Sequence, residues 1–320
     1  MTRKLLILTS SVLMLFLFKN KANGQFLYDL FNMPDTVCTD HEIEPYDIIE
    51  GVQSYSWTFC PPNLAGIPTG SNRGHLPEIA TPVSFQIVKN DAYPLVFLMN
   101  SNGFINRMRY EDGIAGNPTF REEIGRAGTV GKGMYVVNSG TTWHVFAIGG
   151  VDFVNTQLIR MDFENGLLQN PTSVTNFGSL DSQLISGNQL TIINENGNWY
   201  GFTFNTHNEL MRLAFGTDIK SKPTVTNLGN IHNQFNGVTS LVPIKELDNW
   251  HLYITNKQES AIKRISFGNS VLNPAYVINY EDFNGLVRRP VGLAITRDCD
   301  KYYGWALCEQ NTNLVSLVWD

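Results

Sequence analysis

Apolar positions along the chain fall into short runs parted by polar, turn-forming stretches, and the runs recur. With an aromatic position as origin, Phe59, Tyr110, Phe163, Phe215, Phe267 and Trp319 stand 51, 53, 52, 52 and 52 residues apart. Intervals this even mark an internal repeat, and a repeat decides architecture before any motif does. Three residues before the origin stands Arg107, Arg160, Arg212 or Arg264. A proline follows it as Pro68, Pro118, Pro171, Pro223 or Pro274, and Tyr93, Trp143, Trp199, Trp250 or Tyr302 precedes it by 16 to 20 residues.

Each unit predicts four strands. The first is of the class "PVSFQIV", "KGMYVVN" or "NQLTIIN", and the second of the class "WHVFAI", "WYGFTF" or "WHLYIT". Both are rich in β-branched and aromatic residues and bounded by turn formers. Asn196-Gly197 reads as a hairpin turn, since both residues tolerate positive φ. The third strand is "LMRLAF" and its counterparts. The fourth is "PTVTNL" and its counterparts, opened by proline where a ladder donor can be spared.

Four antiparallel strands every ~50 residues predict an all-β fold, a β-propeller of ~52-residue blades. Five blades are expected, closed by pairing the amino- and carboxy-terminal segments. The last unit stops at "LVSLVWD" without a fourth strand, and "LAGIPTG" near the amino end has the form of one. Closure of this kind removes sheet edges that invite aggregation. Six is the competing count, because "SYSWTFC" and "TDHEIEPYDII" are left for a partial blade or a small hairpin. The expected division is a signal peptide at 1–24, an amino-terminal segment or partial blade at 25–56, and the propeller at 57–320.

The amino end changes the picture of location. Arg3 and Lys4 precede an apolar run from Leu5 to Phe18, too short for a spanning helix, with Ala22-Asn23-Gly24 as small residues before Gln25. This is the form of a cleaved leader, with an uncleaved anchor as the alternative. Its removal takes four of the 23 basic residues and no acid, leaving 19 against 29 acidic ones, a net charge of −10. That balance, with no basic patch, speaks against nucleic acid as a partner. Four cysteines in an exported chain allow three disulfide pairings. Cys299 and Cys308 flank a hairpin in a register that would not face them together, so Cys38 with Cys60 is the preferred pair.

Units carrying Trp199-Tyr200-Gly201-Phe202, then Arg212 and Phe215, then Pro223, Thr224, Asn227 and Gly229 resemble repeats of exported Bacteroidota β-propeller proteins. Many of those are gliding-motility-associated or adhesin-like. The segment from Asp35 to Phe59 also looks like the start of a PKD-type module, though too short for a whole one. The resemblance implies an envelope or surface location, in the periplasm, at the outer membrane or on the cell surface, and type 9 secretion. It also implies an outer-membrane barrel or adhesin as partner. The chain departs from the usual cargo because Trp319 and Asp320 still belong to the repeat, where a sorting domain would follow.

Candidate chemistry is sparse. The repeated Arg107, Arg160, Arg212 and Arg264 could ring an anion, yet one position per blade fits a repeated structural contact better. Trp143, Trp199 and Trp250 would serve as sugar platforms singly; their repetition favours packing between blades. The six histidines show neither metal-ligand spacing nor a Ser-His-Asp order with a G-x-S-x-G elbow. No metal or cofactor is therefore expected. A glycosidase would need two facing carboxylates, and no acid stands out within a first strand. The expectation is a non-catalytic interaction module, not an enzyme, with a glycan-binding propeller second and a glycoside hydrolase third. Its partner-binding face would be the irregular loops bearing Phe153, His207, His232, Phe235, Phe283, Arg288 and Arg289.

Overall fold

A computed structural model describes residues 81–89, 93–111, 117–185, 187–298, 301–310 and 314–319. The leader, the PKD-like segment, Cys38, Cys60 and the proposed closing strand lie outside them. Two compact units are distinguished, one of Thr69–Ile295 with Gly304–Leu317 and one of Met1–Pro68, Thr296–Tyr303 and Val318–Asp320. Of the second, the described residues are ends of strands in the fifth blade. All that follows concerns the first.

The fold is the all-β, five-bladed β-propeller that the repeat predicts. Blade 1 holds β1 (Pro82–Lys89), β2 (Pro94–Asn100), β3 (Phe104–Arg109) and β4 (Phe120–Arg126). Blade 2 holds β5 (Val130–Asn138), β6 (Trp143–Gly150), β7 (Thr156–Phe163) and β8 (Ser173–Asn176). Blade 3 holds β9 (Asn188–Glu195), β10 (Asn198–Phe204), β11 (Leu210–Gly216) and β12 (Thr224–Gly229). Blade 4 holds β13 (Val238–Glu246), β14 (Asn249–Asn256), β15 (Ala261–Gly268) and β16 (Tyr276–Asn279). Blade 5 shows three strands among the described residues, β17 (Pro290–Asp298), β18 (Lys301–Cys308) and β19 (Leu314–Trp319). Each sheet runs in sequence order. No α-helix occurs among the described residues; one turn of 3-10 helix, Ile231–Asn233, lies between blades 3 and 4. Asn196 and Gly197 both take positive φ, 51° and 84°, so the hairpin they make is of the expected kind.

First strands of neighbouring blades lie side by side, β1 by β5, β5 by β9 and β9 by β13. Polar side chains tie them without a backbone ladder. The Gln86 carboxamide donates to the Val136 carbonyl at 3.0 Å and accepts from the Val136 N–H at 2.7 Å, acting as a substitute peptide group. Asn188 donates to the Val238 carbonyl at 3.0 Å, and Ser240 meets both backbone groups of Leu293. Between β5 and β9, Gly133 permits contact closer than any side chain would. A Cβ there would stand 2.7 Å from the Gln189 backbone.

The repeat origin proves to be the contact between blades. Phe163, Phe215 and Phe267 each meet a second-strand phenylalanine of the preceding blade, Phe97, Phe146 and Phe202, with ring centroids 6.5, 5.3 and 5.4 Å apart. Three apolar clusters follow this plan, joining blades 1 and 2, 2 and 3, and 3 and 4. Trp143, Trp199 and Trp250 pack partly buried at the edges of those clusters. A blade cannot bury both its faces alone, so the burial that drives folding lies between repeats.

The recurring arginines do the polar equivalent. Arg107 donates to the carbonyls of Leu167 and Gln169, Arg160 to that of Lys220, and Arg212 to that of Val271 at 2.8 Å. Each acceptor sits in the turn between third and fourth strands of the next blade. Arg107 is buried beside Glu122, and its pKa is lowered to about 10 by burial and then by the charge of Arg109. Arg264, whose next blade is the fifth, lies instead near Tyr253 and Tyr280.

Candidate functional site

Blade 2 carries a polar chain on one face and a cleft on the other. The β5–β6 hairpin is closed by Ser139-Gly140-Thr141-Thr142. Gly140, at φ 110°, has its N–H held by Asn138 Oδ1 at 2.6 Å, and the Ser139 N–H donates to the Thr142 carbonyl at 3.0 Å. Antiparallel register then sets His144 on β6 directly opposite Asp162 on β7.

His144 is fully buried, and its Nδ1 lies 2.6 Å from Asp162 Oδ1. Asp162 also accepts from Arg160 Nε at 2.7 Å, from Arg160 Nη2 at 2.9 Å and from Ser173 Oγ at 2.8 Å. Burial alone would raise the Asp162 pKa. The hydrogen bonds from His144, Arg160 and Ser173, with the Arg160 charge, outweigh it and hold the carboxyl well below the usual carboxylate range. An ionised Asp162 can only accept, so His144 Nδ1 donates to it. Ser139 Oγ, on the exposed loop, lies 2.8 Å from Nε2. The same hydroxyl donates to the Thr142 carbonyl at 3.2 Å.

On the face of blade 2 toward blade 1 lies a cleft of about 360 Å³, lined by Asn138, Trp143, Asn165, Gly166, Leu167, Leu168 and Gln169. Its walls are the root of the β5–β6 hairpin and the β7–β8 turn. The turn is fixed from blade 1 by Arg107, through the carbonyls of Leu167 and Gln169. One wall is thus aromatic and the others carry uncharged amides.

The sequence pattern did not disclose this grouping. Ser139, His144 and Asp162 come together through a hairpin and a cross-strand register, with no nucleophile elbow. A trace was present in the Trp-His pairs at 143–144 and 250–251. In blade 4 His251 likewise faces Ser266, with Nδ1 2.9 Å from Oγ.

The residues expected to bind a partner do not gather into one pocket. Phe153 is exposed with Lys132 Nζ 4.8 Å from its ring centre, while His207 and His232 are exposed on separate loops. Phe283 and Arg289 are half-buried and Arg288 exposed in the link to β17; Arg289 Nε meets Glu309 at 3.2 Å. Phe235 needs correction, because it is buried at 2% exposure and cannot meet a partner. Asn230 holds it inward, with its Oδ1 on the Phe235 N–H and its Nδ2 on the Phe235 carbonyl, both at 2.8 Å.

Carboxylates of β9 and β13 occur only at their final residues, Glu195 and Glu246. Glu195 is committed to the blade-4 turn through Ser270 Oγ and the Val271 N–H. Among the described residues no cluster of His, Cys, Asp and Glu fit for a metal ion occurs. Cys308 is a buried free thiol.

No family model and no curated protein matches the chain. Solved structures do. A thermostable family-43 glycoside hydrolase matches at 9% identity over 75% of this chain and 88% of its own, with a TM-score of 0.49. A family-43 hydrolase of Bacillus licheniformis matches at 8% identity over 76% of this chain and 53% of its own, at 0.48. One from a xyloglucan locus of Bacteroides ovatus matches at 10% over 76% and 53%, at 0.49. The chain spans about half the length of the latter two. At these identities the likeness is one of fold. Against the expectation of a non-catalytic interaction module that is not an enzyme, these neighbours are all glycoside hydrolases.

Proposed function

We propose that the protein is a carbohydrate-active hydrolase that holds a neutral saccharide in the cleft beside Trp143. The observation that carries this is the lining. It combines one indole, the carboxamides of Asn138, Asn165 and Gln169, two leucines and no charged side chain. Apolar sugar faces suit an aromatic wall, and hydroxyls suit uncharged amides, in a site whose volume is within the usual range for small ligands. Asn165 and Gln169 are exposed, so they can be changed without touching the core.

The test is calorimetric titration with xylose-, glucose- and galactose-based oligosaccharides. Binding is expected to weaken by about 2–10-fold for each of Asn165→Ala and Gln169→Ala, as the loss of one hydrogen bond implies. Absence of binding across the set, or unchanged affinity in the double variant, overturns the reading.

We also propose export, on the support of Arg3, Lys4 and the Leu5–Phe18 run. The protein purified from its native envelope would begin at Gln25. A start at Met1 would refute leader cleavage.

A further inference from the structure

We propose that Ser139 is the nucleophile of an ester-hydrolysing site, with His144 as its general base and Asp162 orienting the imidazole. The substrate class would be a soluble carboxylic ester that meets Ser139 on the exposed hairpin. The connectivity is that of an activated serine: hydroxyl to Nε2 at 2.8 Å, Nδ1 to carboxylate at 2.6 Å. The base is locked in the required tautomer by an acceptor that is itself held by Arg160 and Ser173. Burial of His144 leaves Ser139 as its route to solvent.

Glycosidic cleavage at the same place fits less well. It needs one carboxyl that is protonated at working pH and a second beside it. Asp162 is held ionised and spent on four hydrogen bonds, and Glu164, exposed at the turn, is paired with Lys220 at 3.0 Å. Acyl transfer asks for neither.

In the first half-reaction Ser139 Oγ bonds to the acyl carbon while its proton passes to His144 Nε2. The carbon–oxygen bond to the leaving alcohol then breaks, and the same proton passes to the alcohol oxygen. Water next attacks the acyl-serine, gives one proton to Nε2 and releases the carboxylic acid, and Nε2 returns that proton to Ser139. The sum is ester plus water to alcohol plus acid.

The experiment treats the whole protein with a fluorophosphonate probe, locates the adduct by peptide mass spectrometry, and follows hydrolysis of 4-nitrophenyl acetate and glucose pentaacetate. The expected result is an adduct on Ser139, absent in Ser139→Ala, and a fall in kcat/KM of about 10²–10⁴ in that variant. Ser139→Ala also takes a partner from the buried His144 Nε2, so activity is compared below both melting midpoints with circular dichroism showing the variant folded, which separates lost chemistry from lost folding. No adduct at Ser139, or equal hydrolysis by wild type and variant, overturns the proposal. Saccharide binding without an adduct would sink the ester site alone, and an adduct without saccharide binding would sink the saccharide cleft alone.

Discussion

Phe235 meets Phe204 edge to face, ring centroids 5.1 Å apart and planes at 81°, so a residue in the link between blades 3 and 4 belongs to the core they share. Phe235→Ala should cost about 3–5 kcal/mol, the usual price of a buried phenylalanine cavity. Equilibrium denaturation checks it; a midpoint equal to wild type would contradict the burial.

Arg212 carries the bond to the Val271 carbonyl that joins blades 3 and 4. Arg212→Ala is expected to destabilise by about 1–3 kcal/mol, because a buried acceptor loses a charged donor. Hydrogen exchange should quicken in the 270–273 turn more than in β9. Uniform or unchanged protection would argue that the arginine covers surface and does not pin the turn.

Asp162 sets an acid limit to stability. Its folded pKa is depressed below the ordinary 3.8, so its contribution is complete above that value and is lost as pH falls through the lower folded-state value. Asp162→Asn should cost about 3–5 kcal/mol at neutral pH by leaving Arg160 buried without its counter-charge. The gap between variant and wild type should then narrow below pH 3.8. Urea melts at a series of pH values decide the point, and a gap independent of pH would refute the assignment.

His251 acts at milder pH. Burial, then the Arg264 charge, push its pKa below the usual 6.5 against the pull of Glu246. Below 6.5 the unfolded chain takes up a proton that the folded state resists, so stability should decline as pH drops through that range. His251→Gln should flatten this part of the profile. A variant that keeps the wild-type slope would assign it elsewhere.

The blade count and strand order were legible because the repeated positions are those that join neighbouring blades. Phe163, Phe215 and Phe267 recur since each must meet the phenylalanine of the blade before, and Arg107, Arg160 and Arg212 recur since each must reach the next turn. Loop residues obey no such period. Phe235 and Phe153 look alike in sequence, yet Asn230 turns the first inward while the second stays 63% exposed.

By itself, then, the chain determined an all-β propeller, its ~52-residue period and the residues of its inter-blade seams, because periodic burial leaves a periodic trace. Only the tertiary structure decided the site. Ser139 and His144 are brought together by a tight hairpin, and His144 and Asp162 by a register that makes residues 18 positions apart neighbours across a ladder. The cleft needs a turn that an arginine from another blade holds in place. Such proximity comes from the pairing of strands, which no short stretch of sequence encodes.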